Sequence, residues 1–173
     1  MEKELLAEMT VKRFVAELGA KSATPGGGAA AGISGALAAS LAQMVGNLTV
    51  GRKKFAAVND EMAAIVQRAG QLAEEFLAEM DADAAAYDTV MAAYGLPKST
   101  DAEQAVRQAT IDKAFIEAAR VPARTARLCL PVLELAKQAA QNGNPNAASD
   151  AMVSAYLAEA ACKSALANVR TNL

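Results

Sequence analysis

The sequence predicts an all-α fold, a bundle of five or six helices in which one helix is very long. Three observations carry this expectation. Apolar positions recur three and four residues apart along the chain, and no segment alternates apolar and polar residues between turn signals. Hydrophobic residues make up 53% of the chain but aromatics only 4%; the excess is alanine, roughly a quarter of all residues, a composition that favours closely packed helices. A run from Phe55 to Tyr94 contains no proline and one interior glycine, Gly70. With 173 residues and no linker, repeat or low-complexity segment, residues 1–173 read as a single domain.

The elements follow in order. Thr10 caps a short helix through Phe14 and Leu18 that ends near Gly19, and residues 21–25 form a connection. A second helix starts in the triple glycine at 26–28. It carries Ile33, Leu37, Leu41, Met44 and Leu48 on one stripe and Gly28, Gly32, Ala36 and Ser40 on a neighbouring ridge. The bare ridge lets another helix approach closely, so this helix is expected at the buried centre of the fold. The run from Phe55 to Tyr94 would span about 60 Å at 1.5 Å per residue. A domain of this size is only about 30 Å across, so the run must project, bend or pack against a second subunit. A fourth helix is expected from Thr100 or Asp101 to about Ala119, and a fifth from Pro122 to about Gln141 with a kink at Pro131. After a rigid turn at 142–146, a last helix runs from about Ser149 toward Leu173.

Composition also removes several function classes. Seventeen basic against nineteen acidic residues give a net charge of −2, so neither nucleic acid nor a polybasic membrane anchor is an expected partner. The chain has no histidine, which excludes a Ser-His-Asp triad, a Cys-His dyad and His-based metal sites. Cys129 and Cys162 lie apart in alanine-rich sequence and read as small buried residues of a reduced, cytoplasmic protein, with a single bridge left open. The start, MEKELLAEMT, lacks the apolar core of a secretory signal. Residues 22–51 carry no charge, long enough to span a bilayer. Their Ala, Gly and Ser supply little insertion energy, and Gln43 and Asn47 interrupt them, so a buried helix is expected rather than a span.

Four places carry candidate chemistry. Gly26, Gly27 and Gly28 open a helix and expose backbone N–H groups that suit an anion or simply permit tight packing. Lys53 and Lys54 lie just past the other end of that helix, where cations complement the dipole. Asp83 falls on the apolar stripe of the long helix, between Met80 and Tyr87. Burying it unpaired would cost several kcal/mol, so it must pair, protonate or act. Asp81 and Asp88 lie off the stripe and read as solvated. In the segment 143–150, Asn146 or Ser149 is suited to cap the last helix and Asp150 to complement its first turn. Asn144 and Asn146, with a proline between them, present amides suited to a planar heterocycle.

The segments TPGGGAAAGISGALAASLAQMVGNLTVGRKKF, DADAAAYDTVMAAYGLPK and GNPNAASDAMVSAYLAEAACKSALANVRTNL resemble the cyclodeaminase/cyclohydrolase family, which includes the formiminotetrahydrofolate cyclodeaminase domain and bacterial methenyltetrahydrofolate cyclohydrolases. The likeness covers almost the whole chain in matching order. It implies an all-α homodimer with a very long helix, folate sites near the subunit interface, and a tetrahydrofolate derivative, polyglutamylated forms included, as substrate. No cofactor beyond that folate and no metal is implied. Family members usually continue past the N-V-x-x-N-L segment, so the resemblance also implies a less complete interface for a chain ending at Leu173. Residue chemistry at these motif positions makes Asp83 or Asp150 the acid–base carboxylate. Asn144 and Asn146 would orient the pterin, with Ser149 beside them. The Gly26–Gly28 turn, with Lys53 or Lys54, would hold the glutamate tail. Cyclodeaminase is the first expectation, cyclohydrolase the alternative, and a non-catalytic helical dimer of the same fold the reading from another class.

Overall fold

The computed structural model describes residues 4–173, so only the last part of the charged N-terminal decapeptide lies within it. Among the described residues every regular element is helical: α1 (Val11–Leu18), α2 (Gly27–Asn47), α3 (Asn59–Tyr94), α4 (Asp101–Asn142) and α5 (Ala148–Asn172), with three short 3₁₀ turns. Thr10 Oγ1 accepts from the Arg13 N–H at the start of α1, and Thr100 and Glu103 form a reciprocal capping box at the start of α4. The run expected from Phe55 divides: Lys53–Val58 is a 3₁₀ turn, and the α-helix begins at Asn59.

Helices α2, α3, α4 and α5 run alternately up and down and form the body of the bundle. Phe76, Leu72, Ala38, Ala39, Cys129, Val132, Ala158 and Ala161, drawn from all four, make its central core. The bare face of α2 is what packs inward. An added Cβ at Gly35 would collide with the Phe76 ring, and one at Gly32 would lie 3.1 Å from Met80 Cβ. Backbone thus touches side chain directly, the close approach that a small-residue ridge allows. Of the bulky stripe, Leu37 and Met44 face outward, 52% and 37% exposed, while Ile33 and Leu48 are partly buried against neighbouring core clusters. By length and composition α2 could cross a membrane, yet more than half of it is buried inside the bundle.

The break expected near Ala119–Pro122 does not occur. A single 42-residue helix, α4, runs through both Pro122 and Pro131. Proline at 122 removes the hydrogen bond to the carbonyl four residues earlier, that of Ala118. Asn172 Nδ2 at the end of α5 donates to that carbonyl at 3.3 Å. A partner from a distant part of the chain fills the vacancy, and the helix continues. The fold therefore has two very long helices rather than one. Beyond α2 and α5, the last third of α3 and the first part of α4 continue as an antiparallel two-helix arm. Val90, Ala93, Ile111, Ala114 and Ala118 zip it together, and Tyr94 meets Phe115 edge to face at 6.3 Å. The N-terminal segment packs beside the root of this arm, where Leu6 is buried against Met80 and Ala84. Asp81, expected to be solvated, anchors it: its Oδ1 accepts from the Leu6 N–H at 2.6 Å.

Candidate active site

A cavity of about 260 Å³ opens where the arm leaves the body. Its floor is the start of α2 at Gly27 and Gly28, together with Asp83 from α3 and Asn168 and Asn172 from the last turns of α5. Its wall is the arm, with Tyr87, Val90, Met91 and Tyr94 from α3 and Phe115 from α4. Two tyrosines and a phenylalanine above a small polar floor suit a flat heterocycle. Arg107 braces the wall from behind, its guanidinium 5.3 Å from the Tyr94 ring centre while Nη2 donates to the Tyr94 carbonyl at 3.2 Å.

Among the described residues, Asp83 is the only carboxyl on this floor. It sits at the N-terminus of α2, where Gly26 supplies no side-chain cap, and accepts a hydrogen bond from the Ala29 N–H. Burial pushes its pKa above the ordinary aspartate value, with that hydrogen bond opposing in part. The contact depends on glycine. A Cβ at Gly28 would fall on the Asp83 carboxyl, so any side chain there would displace it. Gly27 plays the same part for Asn168, whose Nδ2 lies 3.3 Å from where a Cβ would stand. An acid seated among these N–H groups leaves the turn poorly suited to a ligand's carboxylate or phosphate. The geometry favours the tight-packing role for the glycines, and the anion-holding role expected for them is not what this floor offers.

The remaining expected site residues lie elsewhere. Lys53 and Lys54 are exposed beyond the far end of α2, which at 21 residues puts about 30 Å between them and Gly28. The Asn144 turn is at that same far end. Asn144 is buried: its N–H donates to Thr49 Oγ1 at 2.8 Å, its Nδ2 to the Leu48 carbonyl at 3.3 Å, and its Oδ1 accepts from the Asn146 N–H at 3.1 Å. Nδ2 fastens the α4–α5 turn to the end of α2 and Oδ1 closes the turn on itself, so the amide is not held open for a pterin. Asn146 and Ser149 are exposed or partly so, and neither caps α5, whose first residue follows Ala147 without a side-chain cap. Asp150 is half-buried in the first turn of α5. Within one chain, then, Asp83, Gly27 and Gly28 come together, while Lys53, Lys54, Asn144, Asn146, Ser149 and Asp150 form a second group at the opposite end. Residue reasoning left Asn168 and Asn172 without a role, although both belong to the N-V-x-x-N-L segment already singled out. Their four-residue spacing, which aligns two amides on one helix face, was the available signal.

Comparison with known proteins agrees with this architecture. The family model described as formiminotransferase-cyclodeaminase matches residues 10–173. A methenyltetrahydrofolate cyclohydrolase of Methylorubrum extorquens is 42% identical over 94% of this chain and 78% of its own length. The formimidoyltransferase-cyclodeaminase of Rattus norvegicus is 33% identical over 97% of this chain, which spans only 31% of that longer protein. The crystal structure of formiminotetrahydrofolate cyclodeaminase from Thermotoga maritima superposes with a TM-score of 0.83 at 32% identity, covering 95% of this chain and 78% of the other. Matched over nearly its whole length in sequence and in fold, the chain belongs to the formiminotransferase-cyclodeaminase family.

Proposed function

We propose that this protein is a folate enzyme that forms or opens the one-carbon bridge between N5 and N10 of tetrahydrofolate, with Asp83 as its acid–base group. One observation carries the reading. A carboxyl with a raised pKa, fixed at a helix start, faces an aromatic-walled cavity that, among the described residues, no lysine or arginine lines. That environment suits a cationic heterocycle, and the 5,10-methenyl compound is one. Its electrophilic carbon already bears positive charge, so the chemistry asks for no metal or further cofactor; what it needs is proton transfer and charge stabilisation.

In the cyclodeaminase direction, N10 attacks the carbon of the protonated formimino group, whose C=N π electrons move to its own nitrogen, and Asp83 takes the proton that N10 loses. Asp83 then returns it to the departing amino group, the carbon–nitrogen bond breaks, and ammonia leaves behind the methenyl cation. In the cyclohydrolase direction, water attacks that cation and gives a proton to Asp83. The bond from the carbon to N5 breaks, N5 takes that proton from Asp83, the hydroxyl on the carbon releases its own proton to solvent as it becomes the carbonyl, and the 10-formyl compound results. Cyclodeaminase is the first expectation from sequence. The cyclohydrolase reading has its own support in the higher identity, 42% against 33%, to a protein of that name. Supplying 5,10-methenyltetrahydrofolate and following its absorbance, then 5-formiminotetrahydrofolate and following ammonia, separates the two. Folded protein inactive toward both would favour the non-catalytic helical module.

The same reading includes a cytoplasmic homodimer. The outward stripe of α2, with Leu37 and Met44, offers an uncharged apolar surface to a second copy. An antiparallel two-fold pairing along it would bring the Lys53, Lys54 and Asp150 end of one subunit toward the Asp83 end of the other, where a glutamate tail would meet cations. Light scattering of the native protein and of Leu37→Lys tests it: a dimer that the charge converts to monomer is the expected result.

A further inference from the structure

We propose that Asn168 and Asn172 form a pair of amide acceptors that fixes the N–H donors of the substrate ring beside Asp83. The inference rests on the folate reading above and names two residues that reading does not use. Both side chains line the cavity, one helical turn apart near the end of α5. In each, the amide nitrogen is already committed. Asn168 Nδ2 donates to the Ser164 carbonyl at 2.9 Å, and Asn172 Nδ2 donates to the Ala118 carbonyl at 3.3 Å. A backbone carbonyl only accepts, so these bonds fix the orientation of both amides and leave Oδ1 as the end of each that can receive a ligand's donor.

The floor is therefore rich in acceptors: one carboxyl and two amide oxygens, with no cationic side chain among the described lining residues. The edge of a reduced pterin carries an amino group and ring N–H donors, and so matches it. The two oxygens also supply orientation without adding charge. A second carboxylate in their place would compete with Asp83 for its proton.

The test compares two substitutions at each position. Leucine removes both the acceptor and the tie to backbone; aspartate removes the tie but keeps an acceptor. With the substrate turned over by the wild-type protein, Asn168→Leu and Asn172→Leu are expected to raise KM about five- to tenfold while kcat changes little, the loss of one hydrogen bond each. Asn168→Asp and Asn172→Asp are expected to hold KM within about threefold and to move the acidic limb of the kcat/KM profile upward, because a neighbouring carboxylate raises the pKa of Asp83. A purely structural role predicts that leucine and aspartate variants behave alike, with no movement of the profile, and that result overturns the pair. Wild-type protein that turns over neither folate would overturn the functional reading and this inference with it, whereas unchanged KM in active leucine variants removes the inference alone.

Discussion

The two ends of α2 are closed in opposite ways. At its C-terminal end a neutral amide, Asn144, and a hydroxyl, Thr49, are buried and matched to backbone partners. At its N-terminal end the closing group is an acid, Asp83, half-buried beside an open cavity and made harder to ionise by that burial. A neutral, satisfied network stabilises and holds one arrangement. An ionisable group that could be replaced by a neutral cap, and is not, costs stability and acquires a proton-transfer role in return. The difference separates scaffold from site without reference to motif.

Four variants break or sharpen that contrast. The largest effect is expected from Asp83→Asn, which should lower kcat/KM about a hundredfold or more on the active substrate. The sign of its stability effect is opposite. A carboxyl whose folded pKa is raised costs stability when ionised; the cost is complete above the folded pKa and is relieved as pH falls toward the unfolded value. The Asp83→Asn variant should therefore melt no lower than wild type at neutral pH, and thermal scans across pH should show the gap closing on acidification. In the wild type, kcat/KM should fall on acidification with a midpoint above the ordinary aspartate value, which a pH–rate profile reads directly.

Next comes Gly28→Ala, whose new methyl group would meet the Asp83 carboxylate. A tenfold or greater loss of kcat is expected from about 1 Å of misplacement, with the protein still folded by circular dichroism. At the other end, Asn144→Ala should leave kcat intact yet lower unfolding free energy by about 1–3 kcal/mol in a urea titration, since it strands buried backbone partners. The smallest effect is expected from the double substitution Lys53→Ala, Lys54→Ala. Both side chains are exposed, so stability should stay within about 0.5 kcal/mol. A selective rise in KM for polyglutamylated substrate would show that the two ends meet across subunits.

Much of this was legible from local signals. Thr10 and Thr100 announce their helices because caps are local chemistry, and Asp83 stands out because an acid on an apolar stripe is anomalous in any fold. What escaped was long-range. Pro122 reads as a helix start because proline normally ends what precedes it. Its orphaned carbonyl is satisfied from Asn172, 54 residues away, and no window of sequence contains both. Asn144 and Asn146 read as a ligand-binding pair because polar density in a turn looks the same whether it faces substrate or backbone.

The glycines of α2 also mark where this scaffold can be re-engineered. Along Gly28, Gly32 and Gly35 the neighbouring helix lies so near that growth by one methyl crowds Asp83, Met80 or Phe76. Mutational libraries aimed at new substrates would find almost no viable diversity on that side. The arm is the opposite case: Tyr87, Met91 and Tyr94 are each more than a third exposed, and can change size or polarity without disturbing the central core. Acceptance of altered ring systems should therefore evolve through the wall of the cavity while its floor stays fixed.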